Sequence, residues 1–104
     1  MSDEQASVRP QEQGALTVAG FQRHIKEKYG QRDAERGTPA TYMWFIEEVG
    51  ELASALQDID HKNKEEEFAD VLAWLCTLAN INGVDLTKAL ENKYFKDGGP
   101  KGFK

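Results

Sequence analysis

Apolar residues recur along this chain at helical rather than strand spacing, and the breaks between the runs divide it into four helices. The first run holds Val18, Phe21, Ile25 and Tyr29, three or four residues apart and so on one face. Thr17 before it suits an N-cap and Gly30 after it a stop, which predicts a helix over about 17–29. The polar residues 30–37 read as a loop. Thr38-Pro39 then reads as a cap followed by a first helical residue, and Tyr42, Phe45, Val49, Leu52 and Leu56 continue one stripe toward Ile59. A short turn follows, and Asn63 with Glu66 three residues on reads as a capping box. It opens a third helix carrying Phe68, Val71, Leu72, Leu75, Leu78 and Ala79, closed by Asn82-Gly83. Asp85 can cap a short fourth helix to about Tyr94. Beyond it Gly98, Gly99 and Pro100 predict irregular structure.

The fold so predicted is all-α. Two long central helices joined by a short turn form an antiparallel hairpin core, with the other helices flanking it. This leaves apolar faces uncovered, and a second copy would complete a four-helix-type bundle, so a homodimer or homotetramer is expected. Residues 1–15 are polar and read as a disordered tail; residues 16–104 form one domain.

A net charge of -5 over 104 residues argues against nucleic acid or an anionic membrane as partner. It leaves phosphate substrates open, because a bound divalent metal reverses the sign of a local site. Cys76 is the sole cysteine, so no intrachain disulfide can form, and the N-terminus has no apolar leader segment. Both fit a cytoplasmic setting. No apolar run approaches membrane-spanning length.

The candidate chemistry lies in carboxylates. Glu48 and Glu51 on the second helix, and Glu67 and Asp70 on the third, are pairs three residues apart, hence side by side. No Lys or Arg occurs between Thr38 and Asp60, nor between Glu65 and Thr87, so their repulsion is not offset within either helix. At roughly 100° per residue, Glu48 and Glu51 share a strip with Trp44 and Ala55. Glu67 and Asp70 share one with Trp74, Thr77 and Ile81, beside the apolar stripe. Antiparallel packing can bring the pairs together, where a hard divalent cation with oxygen ligands is the natural counter-ion. The plainer reading is a set of solvated surface glutamates. A di-iron bundle would want Glu-x-x-His, and neither His24 nor His61 follows a Glu at that spacing.

Glu47-Glu48-Val49-Gly50-Glu51-Leu52, then Glu67-Phe68-Ala69-Asp70-Val71-Leu72, with 15 residues between Glu51 and Glu67, resembles the signature of the MazG-like nucleotide pyrophosphohydrolases. The resemblance runs from about Thr17 onward. It implies an all-α fold that dimerises, and cleavage of a nucleoside triphosphate to monophosphate and pyrophosphate by a metal-activated water. It implies Mg²⁺, with Mn²⁺ as a substitute, held by Glu48, Glu51, Glu67 and Asp70. Glu47 matches the first Glu of the motif, for a second metal or the attacking water. Phosphoribosyl-ATP pyrophosphohydrolases share the carboxylate layout and are an alternative, as is a non-catalytic helical interaction or metal-binding module.

Outside the motif, Trp74 is a candidate for a base pocket or for plain interface packing, with Trp44 similar. Lys93 and Tyr94 match a Lys-Tyr pair that follows the last helix in many relatives, and Lys93 is a candidate phosphate ligand. Lys96 and Lys101 add basic charge there. Arg32 and Arg36, read as loop residues, can reach phosphate or base, or simply sit at the surface. Gly50 inside a helix predicts close approach of another helix, or room for a phosphate or metal. Cys76 reads as interior or interface packing.

Overall fold

The structure is a computed structural model in which residues 14–96 are described. The predicted tail lies almost wholly outside them, as do Gly98, Gly99, Pro100 and Lys101. Four α-helices follow one another: α1 Val18–Arg36, α2 Thr38–Leu56, α3 His61–Ile81 and α4 Leu86–Leu90, which passes into a π-helical turn over Glu91–Phe95. Among the described residues there is no strand.

Thr17 caps α1, its hydroxyl accepting from the Gly20 N–H at 2.9 Å. Gly30 does not stop the helix. Residues 31–36 are ordinary helix formers, and one glycine costs only about 1 kcal/mol against alanine, which packing against α3 offsets. The helix ends instead at Gly37, where φ of +82° turns the chain into α2 and the N–H donates to the Asp33 carbonyl at 3.1 Å. The N-cap of α2 is therefore Gly37, with Thr38 and Pro39 inside the first turn.

The α2–α3 turn also differs from the expected capping box. Asp60, not Asn63, caps α3, its side chain accepting from the Asn63 N–H at 3.1 Å. Asp and Asn are near-equal caps, so the first residue able to fold back after the turn takes the role. Asp85 caps α4 as expected, accepting from the Lys88 N–H at 3.1 Å.

α2 and α3 pack as the antiparallel hairpin, and α1 lies against α3. Gln22 latches α1 to the α3–α4 junction: its amide nitrogen donates to Asn80 Oδ1 and to the Val84 carbonyl, and its Oε1 accepts from the Leu86 N–H. The buried apolar residues among those described are Ile25, Ala55, Cys76 and Ala79. Much of the predicted stripe is exposed instead, including Tyr42, Val49 and Leu56 on α2 and Phe68, Leu72 and Leu75 on α3. Among the described residues nothing lies close to Gly50, and a Cβ there would project into open space. No helix among the described residues is long and apolar enough to cross a membrane.

Candidate metal and substrate site

The carboxylates sit where the hairpin's register puts them. Glu51 and Glu67, Glu48 and Asp70, and Trp44 and Trp74 are each equidistant in sequence from Ile59, in the turn, so antiparallel packing sets each pair side by side across the α2–α3 seam. Two observations match that register. Side-chain oxygens of Glu48, Glu67 and Asp70 all lie within 4.8 Å of one another. The Trp44 and Trp74 rings stack, with centroids 6.3 Å apart and planes 14° from parallel.

Glu48 and Glu67 are half-buried, and one oxygen of each, Oε1, is shielded from solvent without a hydrogen-bond partner. Shielded polar atoms are normally paired, so these two are unusual. Their electrostatics agree. The Glu48 carboxyl is pushed above its ordinary value by desolvation, then by the charges of Glu51, Asp70, Glu67 and Glu47. Glu67 is raised by desolvation, then by Glu51, Asp70 and Glu66. Glu51 is thus an electrostatic neighbour of both, although it is not in the three-membered cluster. Glu47 acts on Glu48 alone of the two and is exposed. Among the described residues no Lys or Arg is ion-paired to any of these carboxylates.

Beside the cluster a cavity of about 280 Å³ opens between α1 and α3. Asp70 belongs to its wall, which joins it to the carboxylates. Trp74, Thr77 and Ala73 complete the α3 side, and Tyr29, Arg32, Asp33 and Arg36 line the α1 side. The Arg36 guanidinium lies over the Trp74 ring, its carbon 5.1 Å from the centroid. Asp33, 3 % exposed, accepts from both terminal nitrogens of Arg36 on Oδ1 and from the Thr77 hydroxyl on Oδ2, the latter at 3.2 Å.

Of the substrate-binding candidates, Trp74 and Arg36 therefore face this cavity. Lys93 and Tyr94 are not in its wall. They stand on the π-helical turn after α4, with the Lys93 ammonium 5.7 Å from the Tyr94 ring centre. Sequence reasoning missed Asp33 because residues 30–37 read as loop. Taken as helix, the Asp33/Arg36 spacing of three is that of an intrahelical ion pair.

A helical hairpin that gathers carboxylates, with shielded oxygens lacking partners, beside a cavity of mixed lining defines a class: an all-α protein with an acidic cluster of a kind that could hold a metal ion. A family comparison narrows it. The model for the MazG nucleotide pyrophosphohydrolase domain matches residues 36–96, more than half the chain, and the chain belongs to that family. The match takes in the whole carboxylate set and begins at Arg36, later than the Thr17 from which the sequence resemblance runs. Comparison with curated proteins gave no match.

Proposed function

We propose that the chain is a Mg²⁺-dependent pyrophosphohydrolase converting (d)NTP to (d)NMP and pyrophosphate. The observation carrying this reading is the convergence of Glu48, Glu67 and Asp70 with two shielded, partnerless carboxylate oxygens. Such a donor set fits a small hard cation that takes a few carboxylates and completes its shell with water and phosphate. Glu48, Glu67 and Asp70 would hold Mg²⁺ or Mn²⁺, with Glu51 as the fourth ligand across the same seam. When bound, the ion supplies neutralisation of phosphate charge and Lewis-acid polarisation.

The chain's own residues do the rest. Water's oxygen bonds to phosphorus, the phosphoanhydride bridge breaks, and pyrophosphate leaves with the bridging oxygen. Glu47, next to the cluster and outside it, orients that water and accepts its proton. Arg36 and Trp74 face the nucleotide from the cavity, and Arg32, which has no ion pair among the described residues, offsets phosphate charge. Four carboxylates and one divalent ion leave a net charge of about -2, which cannot by itself attract a triphosphate of about -4.

The active form is a homodimer or higher assembly. Tyr42, Ile46, Val49 and Leu56 on α2, and Phe68, Leu72 and Leu75 on α3, are all exposed in the single chain. They share one stripe on each helix. Few apolar residues are buried without a partner, and a second hairpin packed on these stripes completes a four-helix bundle.

Pyrophosphate release from a panel of (d)NTPs, with Mg²⁺, with Mn²⁺ and with chelator, tests the proposal. Metal-dependent release is expected. Metal binding without release from any nucleotide would leave the non-catalytic module as the better reading.

A further inference from the structure

We infer that buried Asp33 is a positioning residue: it fixes Arg36 over Trp74 as a charge-neutralised hydrogen-bond donor that recognises an acceptor on the nucleoside part of the substrate, not the phosphates. The inference rests on the nucleotide reading above but adds residues from α1, nearly all of which lies before the family match.

Arg36 is held from two directions. Asp33 Oδ1 accepts from both Nη atoms, and the Trp74 ring lies beneath the guanidinium. Asp33 is itself anchored across the α1–α3 seam by Thr77, which is buried. A planar guanidinium held this way loses little further freedom when a ligand arrives, so its remaining N–H groups are preorganised donors.

The pairing also decides what those donors suit. An ion pair has little net charge, so its pull on a phosphate chain is largely cancelled beyond a few ångströms. A phosphate clamp keeps its cation free. Arg32 fits that description: it lines the same cavity, is exposed and has no carboxylate partner among the described residues. Arg36 keeps directional N–H groups without the charge, which matches a neutral acceptor such as a base carbonyl or ring nitrogen. Arginine has no acceptor, so a base edge offering only donors would be refused, as polar sites refuse ligands that leave their groups unpaired.

Calorimetric titration of the full chain in Mg²⁺ tests this, using the eight common (deoxy)nucleoside 5′-monophosphates and inorganic tripolyphosphate as probes. Asp33→Asn and Arg36→Gln should each weaken the best-bound monophosphate about tenfold, the scale of one well-placed hydrogen bond. The double variant should lose no more than either single one, because Asp33 acts through Arg36. Tripolyphosphate affinity should fall in Arg32→Gln, change less than about twofold in Arg36→Lys, which keeps the pair neutral, and hold or rise in Asp33→Asn, which unmasks the Arg36 charge. Should Asp33→Asn fail to fold, Arg36→Lys carries the test: it keeps the charge, loses the planar fork, and should weaken the monophosphate as much as Arg36→Gln. Additive losses, an equal loss for tripolyphosphate in Asp33→Asn or Arg36→Lys, or no monophosphate bound by the wild type would overturn the inference. Monophosphate binding with the expected pattern but no pyrophosphate release would sink the hydrolase reading and leave this one standing.

Discussion

Two of the cavities along α1 and α3 are built to different specifications. One, whose wall includes Arg32, Asp33, Arg36, Asp70, Trp74 and Thr77, mixes charged with apolar side chains and borders the carboxylates. The other, of about 330 Å³, is walled by Leu16, Thr17, Val18, Phe21, Ala69, Leu72 and Cys76 and is almost wholly apolar. On α3 the two differ by a rotation: Ala69, Leu72 and Cys76 stand on one strip, and Asp70, Ala73, Trp74 and Thr77 on the next, one residue or about 100° around. A wall with preorganised donors, next to the shielded oxygens of Glu48 and Glu67, suits a small charged ligand. An apolar wall continuous with exposed Phe68 and Leu75 suits another protein surface. One helix can thus serve chemistry on one strip and assembly on its neighbour.

The largest effect expected from breaking this division is on the polar side. Asp70→Asn or Glu67→Gln should lower pyrophosphate release by about 100-fold or more, the scale of losing a metal ligand. The far-UV circular dichroism and melting temperature should stay near those of the wild type. A variant with normal turnover would remove that residue from the ligand set.

Next comes assembly. Leu72→Asp with Leu75→Asp puts two charges on the apolar strip of α3. Light scattering at micromolar concentration should then report the monomer mass, where the wild type gives a multiple. The carboxylates are untouched, so metal affinity measured on the monomer separates loss of assembly from loss of the site. An unchanged mass would place the interface elsewhere.

Smaller effects sharpen the contrast. In metal-free protein Glu48→Gln should raise stability by a few tenths of a kcal/mol, because one member of a mutually repelling set is neutralised. Urea titration with and without Mg²⁺ would show the sign reverse once metal is present. On the apolar side, burial pushes the Cys76 thiol up to about 11. The folded pKa lies above the ordinary 9.0, so the thiolate is depleted between the two and appears only as pH rises through about 11. Iodoacetamide at pH 9 should therefore label Cys76 slowly in the native protein and quickly in urea. Equal rates would mean that this wall of the cavity opens readily.

The sequence by itself determined the helical class, the two central helices and the carboxylate pairs. Each depends on residues three or four apart, and helical geometry places such residues side by side whatever the rest of the fold does. The register was also present in the chain, since Trp44 and Trp74 flank the carboxylates at matching distances from Ile59. Helix ends were less legible. Gly30 and Asn63 carry good local signals, but the competing signals at Gly37 and Asp60 prevailed once α1 packed on α3 and the turn took its shape. Only the tertiary structure decided that Glu48 joins Glu67 and Asp70 in the close cluster while Glu51 acts from beside it. It alone buried Asp33 against Thr77, 44 residues away in the chain. It also left the stripe of Tyr42, Val49 and Leu56 facing outward. A period of 3.6 residues says which side chains share a face, whereas the crossing of one helix over another says what that face meets.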